Sequence, residues 1–115
     1  MGIDLLQTVD IIEIMENYIE KKRPPEHLRK ELDISYKIKG QSIMIFEIRP
    51  IYMRPEEFQE CNIAKTTYVK TQEAWKIFWM RANLKWVIYE PRPSVKTFKE
   101  VVEIIDKDEC GCFWG

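Results

Sequence analysis

The sequence predicts an α+β fold: an N-terminal helix, a five-stranded antiparallel meander sheet, a C-terminal helix and a tucked tail. Three observations carry that reading. Residues 5–22 place apolar side chains at helical spacing between an Asp cap and a Pro-Pro stop. Residues 32–52 and 66–90 set apolar runs around short turn-forming pairs, as β-hairpins do. Residues 97–105 return to helical spacing behind a second cap.

Asp4 with Gln7 three residues later forms a capping-box pattern at the first helix. Leu5, Val9, Ile12 and Ile19 make its apolar stripe, widened by Ile11, Ile14, Met15 and Tyr18. Glu20-Lys21-Lys22-Arg23 places cations at the negative end of the helix dipole, and Pro24-Pro25 forbids continuation. A stripe this wide predicts a helix lying across the sheet. Pro25 to Lys30 is expected to form a short helical turn anchored by Leu28.

Leu32, Ile34, Tyr36 and Ile38 then alternate with Asp33, Ser35, Lys37 and Lys39, the period of a half-buried strand. Gly40-Gln41 fits a type II′ turn, and the return strand runs from Ser42 to Tyr52 with Pro50 at an edge or bulge. Met53 to Asn62, with Glu56, Glu57 and Glu60, reads as an acidic connection before a third strand, Ile63 to Thr71. Next comes the most aromatic hairpin, Trp75 to Arg81 and Leu84 to Tyr89. If Ala82-Asn83 is its loop, Trp79 faces Trp86 and Ile77 faces Ile88 on one side. Phe78 with Val87 and Met80 with Lys85 then load the other side. A hairpin apolar on both sides is expected to be covered on both, by helices or a partner subunit. Pro91 and Pro93 are expected to end the sheet. Thr97 and Glu100 cap a helix whose Phe98, Val101, Val102 and Ile105 face inward. The tail Cys110 to Gly115 is too apolar for a loose end and should tuck against the sheet.

At 115 residues the chain is read as one domain, 1–115, able to bury roughly two thirds of its unfolded surface. A net charge of −1 argues mildly against a nucleic-acid or anionic-membrane partner. No apolar run approaches the roughly 20 residues that span a bilayer. With no signal-peptide pattern and an odd three cysteines, a reducing, cytoplasmic location is expected.

A set of blocks carries a family resemblance: Leu32-Asp33-Ile34-Ser35-Tyr36, Gly40-Gln41-Ser42, Phe46-Glu47-Ile48-Arg49-Pro50, Ala64 to Val69, Trp75 to Ala82, Leu84-Lys85-Trp86 and Gly111 to Gly115. Together they resemble a family of small prokaryotic proteins known only as a domain of unknown function, the three-thousand-and-twenty-fourth. The resemblance covers Leu32 to Gly115. It implies a stand-alone cytoplasmic domain and no assigned reaction. Cys110 stands where the resemblance implies an aromatic residue, and Val87 where it often implies His.

Among the charges, Glu47 and Arg49 share one strand face, which a two-residue turn also gives to Ile34, Tyr36, Ile43 and Ile45. Charges on so apolar a face need partners, so a partly buried, bidentate ion pair is the expected reading, with a ligand or catalytic carboxylate as the alternative. A three-residue turn would instead bring Asp33 opposite Glu47, near Arg49 and Lys65, a pair of carboxylates able to hold a divalent metal for phosphodiester hydrolysis. The meander lacks the crossover helix of such enzymes. Cys61, Cys110, Cys112 and His27 would make an ill-spaced zinc set, so no metal or cofactor is expected. Tyr68, Trp75, Trp79, Arg81 and Trp86 form a candidate aromatic surface for single-stranded nucleic acid, though such spacing more often marks core. The expected role is a non-catalytic domain of unknown function acting through a protein partner or its own dimer, without a membrane. The alternative is nucleic-acid binding or nuclease-like chemistry by Asp33, Glu47, Arg49 and Lys65.

Overall fold

The computed structural model describes residues 3–115. Helix α1 spans Leu5–Lys22, and its capping box is formed as the spacing predicts: Asp4 accepts from the Gln7 N–H, and the Gln7 side chain accepts from the Asp4 N–H. Strands β1 (Asp33–Lys39), β2 (Ser42–Ile51), β3 (Arg54–Val69), β4 (Ala74–Met80) and β5 (Trp86–Ile88) follow in a meander whose neighbours in sequence are neighbours in space. A short β6 (Ser94–Val95) and helix α2 (Phe98–Lys107) complete the order. Among the described residues the sheet therefore has six strands, because Pro91 and Pro93 interrupt its last edge without ending it: β6 rejoins β4 beyond β5.

Both helices pack on one side of the sheet. There Ile11, Met15, Tyr18 and Ile19 of α1 and Phe98, Val101 and Ile105 of α2 meet Ile34, Ile43, Ile45, Ala64, Trp75 and Ile77 in one core. Tyr36 ties α1 down by donating its hydroxyl to Glu16 at 2.7 Å. Burial, reinforced by that carboxylate, pushes the Tyr36 phenol up to about 12. Ile11, Met15, Tyr18 and Ile19 correct the expected stripe. Leu5, Val9 and Ile12 face water at 78, 52 and 41% exposure, because the first half of α1 is apolar around much of its circumference and only one side meets the sheet. Leu28, expected as an anchor in its 3₁₀ turn, is likewise exposed.

The β1–β2 turn has the expected form. Of Gly40-Gln41 only Gly40 has positive φ (+60°), as type II′ requires, and Asp33 pairs with Ile48 and Ile34 with Glu47. The β4–β5 turn differs. Arg81 N–H donates to the Lys85 carbonyl at 3.0 Å and Leu84 N–H to the Arg81 carbonyl at 2.8 Å, enclosing Ala82, Asn83 and Leu84. Leu84, not Asn83, takes the left-handed conformation at φ 63°, the three-residue hairpin with its terminal bulge. One extra loop residue slips the register, so Trp79 pairs with Val87, Phe78 with Ile88 and Met80 with Trp86. A one-residue slip exchanges faces. Trp79 and Trp86 consequently lie on opposite sides of the sheet.

The largest departure concerns β3. It begins at Arg54, not Ile63, and the expected acidic connection is the outer half of a long hairpin with β2. Seven exposed residues in a row gave this strand no alternation to detect. The tail does tuck: Asp108 accepts from the N–H groups of Phe113 (3.0 Å), Trp114 (2.8 Å) and Gly115 (3.3 Å), and Phe113 packs on Tyr89.

Leu84 is 80% exposed and gains little there by its side chain while holding a conformation disfavoured for a Cβ-bearing residue. Leu84→Gly is expected to raise the denaturant midpoint, by about 1 kcal/mol of stability. An unchanged or lower midpoint would contradict the turn geometry.

Candidate recognition surface

The four charged candidates do not meet. Cross-strand partners share a face, so Ile34 with Glu47 lies on the helix side while Asp33 with Ile48 lies on the other. Met44 pairs with Lys65 on that second side too. Glu47 and Arg49 close on each other through a single Nε–Oε1 contact of 3.0 Å, with Glu47 16% and Arg49 48% exposed. The expected bidentate geometry occurs elsewhere, in a pair that the sequence did not reveal. Arg23 donates through Nε and Nη2 to the two Asp33 carboxylate oxygens, each at 2.8 Å, and Asp33 also accepts from the Ile34 N–H. The Arg23 hydrogen bonds hold the Asp33 carboxyl below its usual range, against the opposing effect of burial. This clasp fastens the exit of α1 to the start of β1. Among the described residues no group of three or more His, Cys, Asp or Glu side chains is placed to hold a metal. The main clefts, of 340 to 470 Å³, run beside the helices and are lined by none of Asp33, Glu47, Arg49 or Lys65.

The aromatic candidates are divided as well. Trp75 is 3% exposed, wedged between Tyr68 and Phe98 at centroid distances of 5.0 and 5.1 Å. Tyr68 and Trp79 are half-buried on this same helix side, with Arg81 6.0 Å above the Trp79 ring. Trp86 alone of the set lies on the side away from the helices.

That second side carries a surface of its own. One row crosses five strands as Lys37, Met44, Lys65, Phe78 and Ile88, each paired with the next. Phe46 with Ser35, and Met80 with Trp86, extend it one way, while Lys39, Ser42, Thr67 and Lys76 form the row on the other. Lys65 sits in the middle, its ammonium 4.9 Å from the Phe78 centroid and 5.3 Å from that of Trp86. Lys37 lies 5.1 Å over Phe46, which is only 4% exposed yet stands outside the core beneath the helices. Among the described residues Lys39, Lys65 and Lys76 make no salt bridge. The signal for this face was in the sequence: Met44, Phe46 and Ile48 interleave with Ile43 and Ile45, so β2 is apolar on both sides.

A bulge sets where this face continues. Ile45 pairs with Ala64 but Phe46 with Asn62, leaving Ile63 unpaired and packed against the core. Beyond it Asn62, Glu60 and Phe58 pair with Phe46, Ile48 and Pro50 and so prolong the helix-free side.

An α+β domain with helices on one sheet face and a lysine-studded apolar surface on the other is the class these elements define. The family model described as a domain of unknown function (DUF3024) matches residues 3–115, and the chain belongs to that family. No curated protein and no solved structure matches it.

Replacing Asp33 by Asn removes the charge from the Arg23 clasp and is expected to cost about 1–2 kcal/mol at neutral pH. The sign with pH follows from the lowered carboxyl. Its contribution is present above the unfolded value of about 4 and disappears as pH falls through the folded value. Urea titrations of wild type and Asp33→Asn should therefore converge in acid, and a gap that is constant with pH would contradict the clasp.

Proposed function

We propose that this is a non-catalytic cytoplasmic domain that works by protein–protein contact, homodimerisation included, through the helix-free face of its sheet. The observation that carries the reading is that face itself: Met44, Phe78, Met80, Trp86 and Ile88 lie together, half-buried, and no described helix packs over them. Apolar side chains gathered in one patch favour a covering surface, each buried Å² contributing roughly 25 cal/mol. A second apolar strip points the same way, since Leu5, Leu6, Val9 and Ile12 stand exposed along α1. No described helix is long and apolar enough to cross a membrane.

A second reading rests on Lys65 over Phe78 and Trp86, with Lys39 and Lys76 in the next row. Aromatics interleaved with cations are how single-stranded nucleic acid is held, bases stacked and phosphates paired. The net charge of −1 and the glutamates of the neighbouring hairpin oppose it.

Sedimentation velocity across the micromolar range separates the two. Self-association that Trp86→Lys weakens at least tenfold, about 1.4 kcal/mol, is the expected outcome. A strict monomer whose tryptophan fluorescence is quenched by oligothymidylate, with affinity falling steeply as salt rises, would replace the first reading by the second.

A further inference from the structure

The outer part of the β2–β3 hairpin is an arm. β1 leaves β2 at the Asp33–Ile48 pair, and β4 meets β3 first at Ala64, so residues 49–63 project as a hairpin with both edges open, paired as far as Pro50–Phe58 and again at Ile51–Arg54, with residues 55–57 bulged out between them. The molecule measures 46 Å against 29 and 25 Å across, and its radius of gyration, 14.6 Å, exceeds the roughly 13 Å of a compact chain this long. A lone ribbon is marginal in water. This one nevertheless holds Tyr52, Met53 and Phe58 outward at 88, 81 and 52% exposure. Pro50 and Pro55 obstruct strand addition along its edges, so its contacts are made by side chains.

Resting on the protein-contact reading, we propose that the open face is covered by a second copy of this chain, each copy laying its arm across the lysine-studded face of the other. Three observations select this occupant. The arm and the open face share a side, since Pro50, Phe58 and Glu60 continue the surface of Phe46 and Ile48. Two such surfaces set face to face about a two-fold axis bring each arm over the partner's body, an isologous arrangement that closes on itself. Charge favours it: the arm carries Glu56, Glu57 and Glu60 against Arg49 and Arg54, a net −1, while Lys39, Lys65 and Lys76 lie on the body without salt bridges among the described residues. Lys65 matters most. An ammonium at the centre of an apolar face is costly to cover unless its cover brings an anion, and the arm is the chain's own supply. The intrachain pairs Arg54–Glu57 and Lys37–Glu60 are exposed and exchange at little cost. Area agrees as well. The accessible surface is 7696 Å², against about 6,700 Å² for a compact monomer of this mass. The excess, about 1,000 Å², resembles the roughly 800 Å² that each partner gives up in a standard interface.

Charge exchange tests it. Sedimentation equilibrium of Lys65→Glu, and separately of Glu56→Lys with Glu57→Lys, should show dimerisation weakened at least tenfold. The three changes combined should recover most of it, which also shows that the variants fold. Both charge variants dimerising like wild type while Trp86→Lys does not would overturn the arm and leave the contact face standing. A wild-type monomer at every concentration would overturn both, and oligothymidylate quenching of that monomer would name nucleic acid as the occupant.

Discussion

The structure turns on an asymmetry of cover. Two helices dock on one side of a sheet whose middle strands are apolar on both. α1 and α2 bring Ile11, Met15, Val101 and Ile105 onto Ile43 and Ile77, leaving each of them at most 2% exposed. On the reverse, Phe78, Met80, Trp86 and Ile88 remain half-buried. Much of the rest follows from that imbalance. Lys37 and Lys65 on the open side lie over rings, where an ammonium above an aromatic face is stabilised by the ring while its stem covers hydrocarbon. Along β3 the open side passes from Lys65 and Thr67 to Asn62, Glu60 and Phe58 because the bulge at Ile63 shifts the register by one residue.

Register decides which side chain belongs to which side, and here two turns decide register. Gly40 supplies the positive φ that a two-residue loop needs, which sends Asp33 to the Arg23 clasp and Glu47 to the helix side. Leu84 supplies it in the other hairpin, where three residues fill the loop and the slip separates Trp79 from Trp86. The same rule thus keeps the acidic candidates apart and splits the aromatic ones. Neither outcome needs a special force, only the two-residue period of a strand.

Legibility tracked local chemistry. Both capping boxes, the limits of α1, the Gly40-Gln41 turn and the tucked tail could be read because each rests on residues within a few positions of one another. The docked side of α1 was not legible: Leu5, Val9 and Ile12 are as apolar as Ile11, Met15 and Ile19, and only the sheet decides between them. The arm was missed because a ribbon wet on both sides has no hydrophobic alternation, and Glu56-Glu57 resembles a loop. Of the candidate site, the Glu47–Arg49 contact was visible as two charges on one face. Asp33 with Arg23 was not, since nothing in the spacing of residues 23 and 33 announces a clasp around the sheet edge.

The family description attaches no activity, so contact at the open face is the property to test. Hydroxyl-radical footprinting of the unmodified protein, read residue by residue at low and high concentration, tests it most directly. Dilute protein should be labelled at Met44, Met80 and Trp86 but spared at Trp75. Concentrated protein should lose that labelling together with labelling of Tyr52, Met53 and Phe58 on the arm. If Met80 and Trp86 are as protected as Trp75 in dilute solution, or if crowding the protein changes nothing, the open face is not a contact surface.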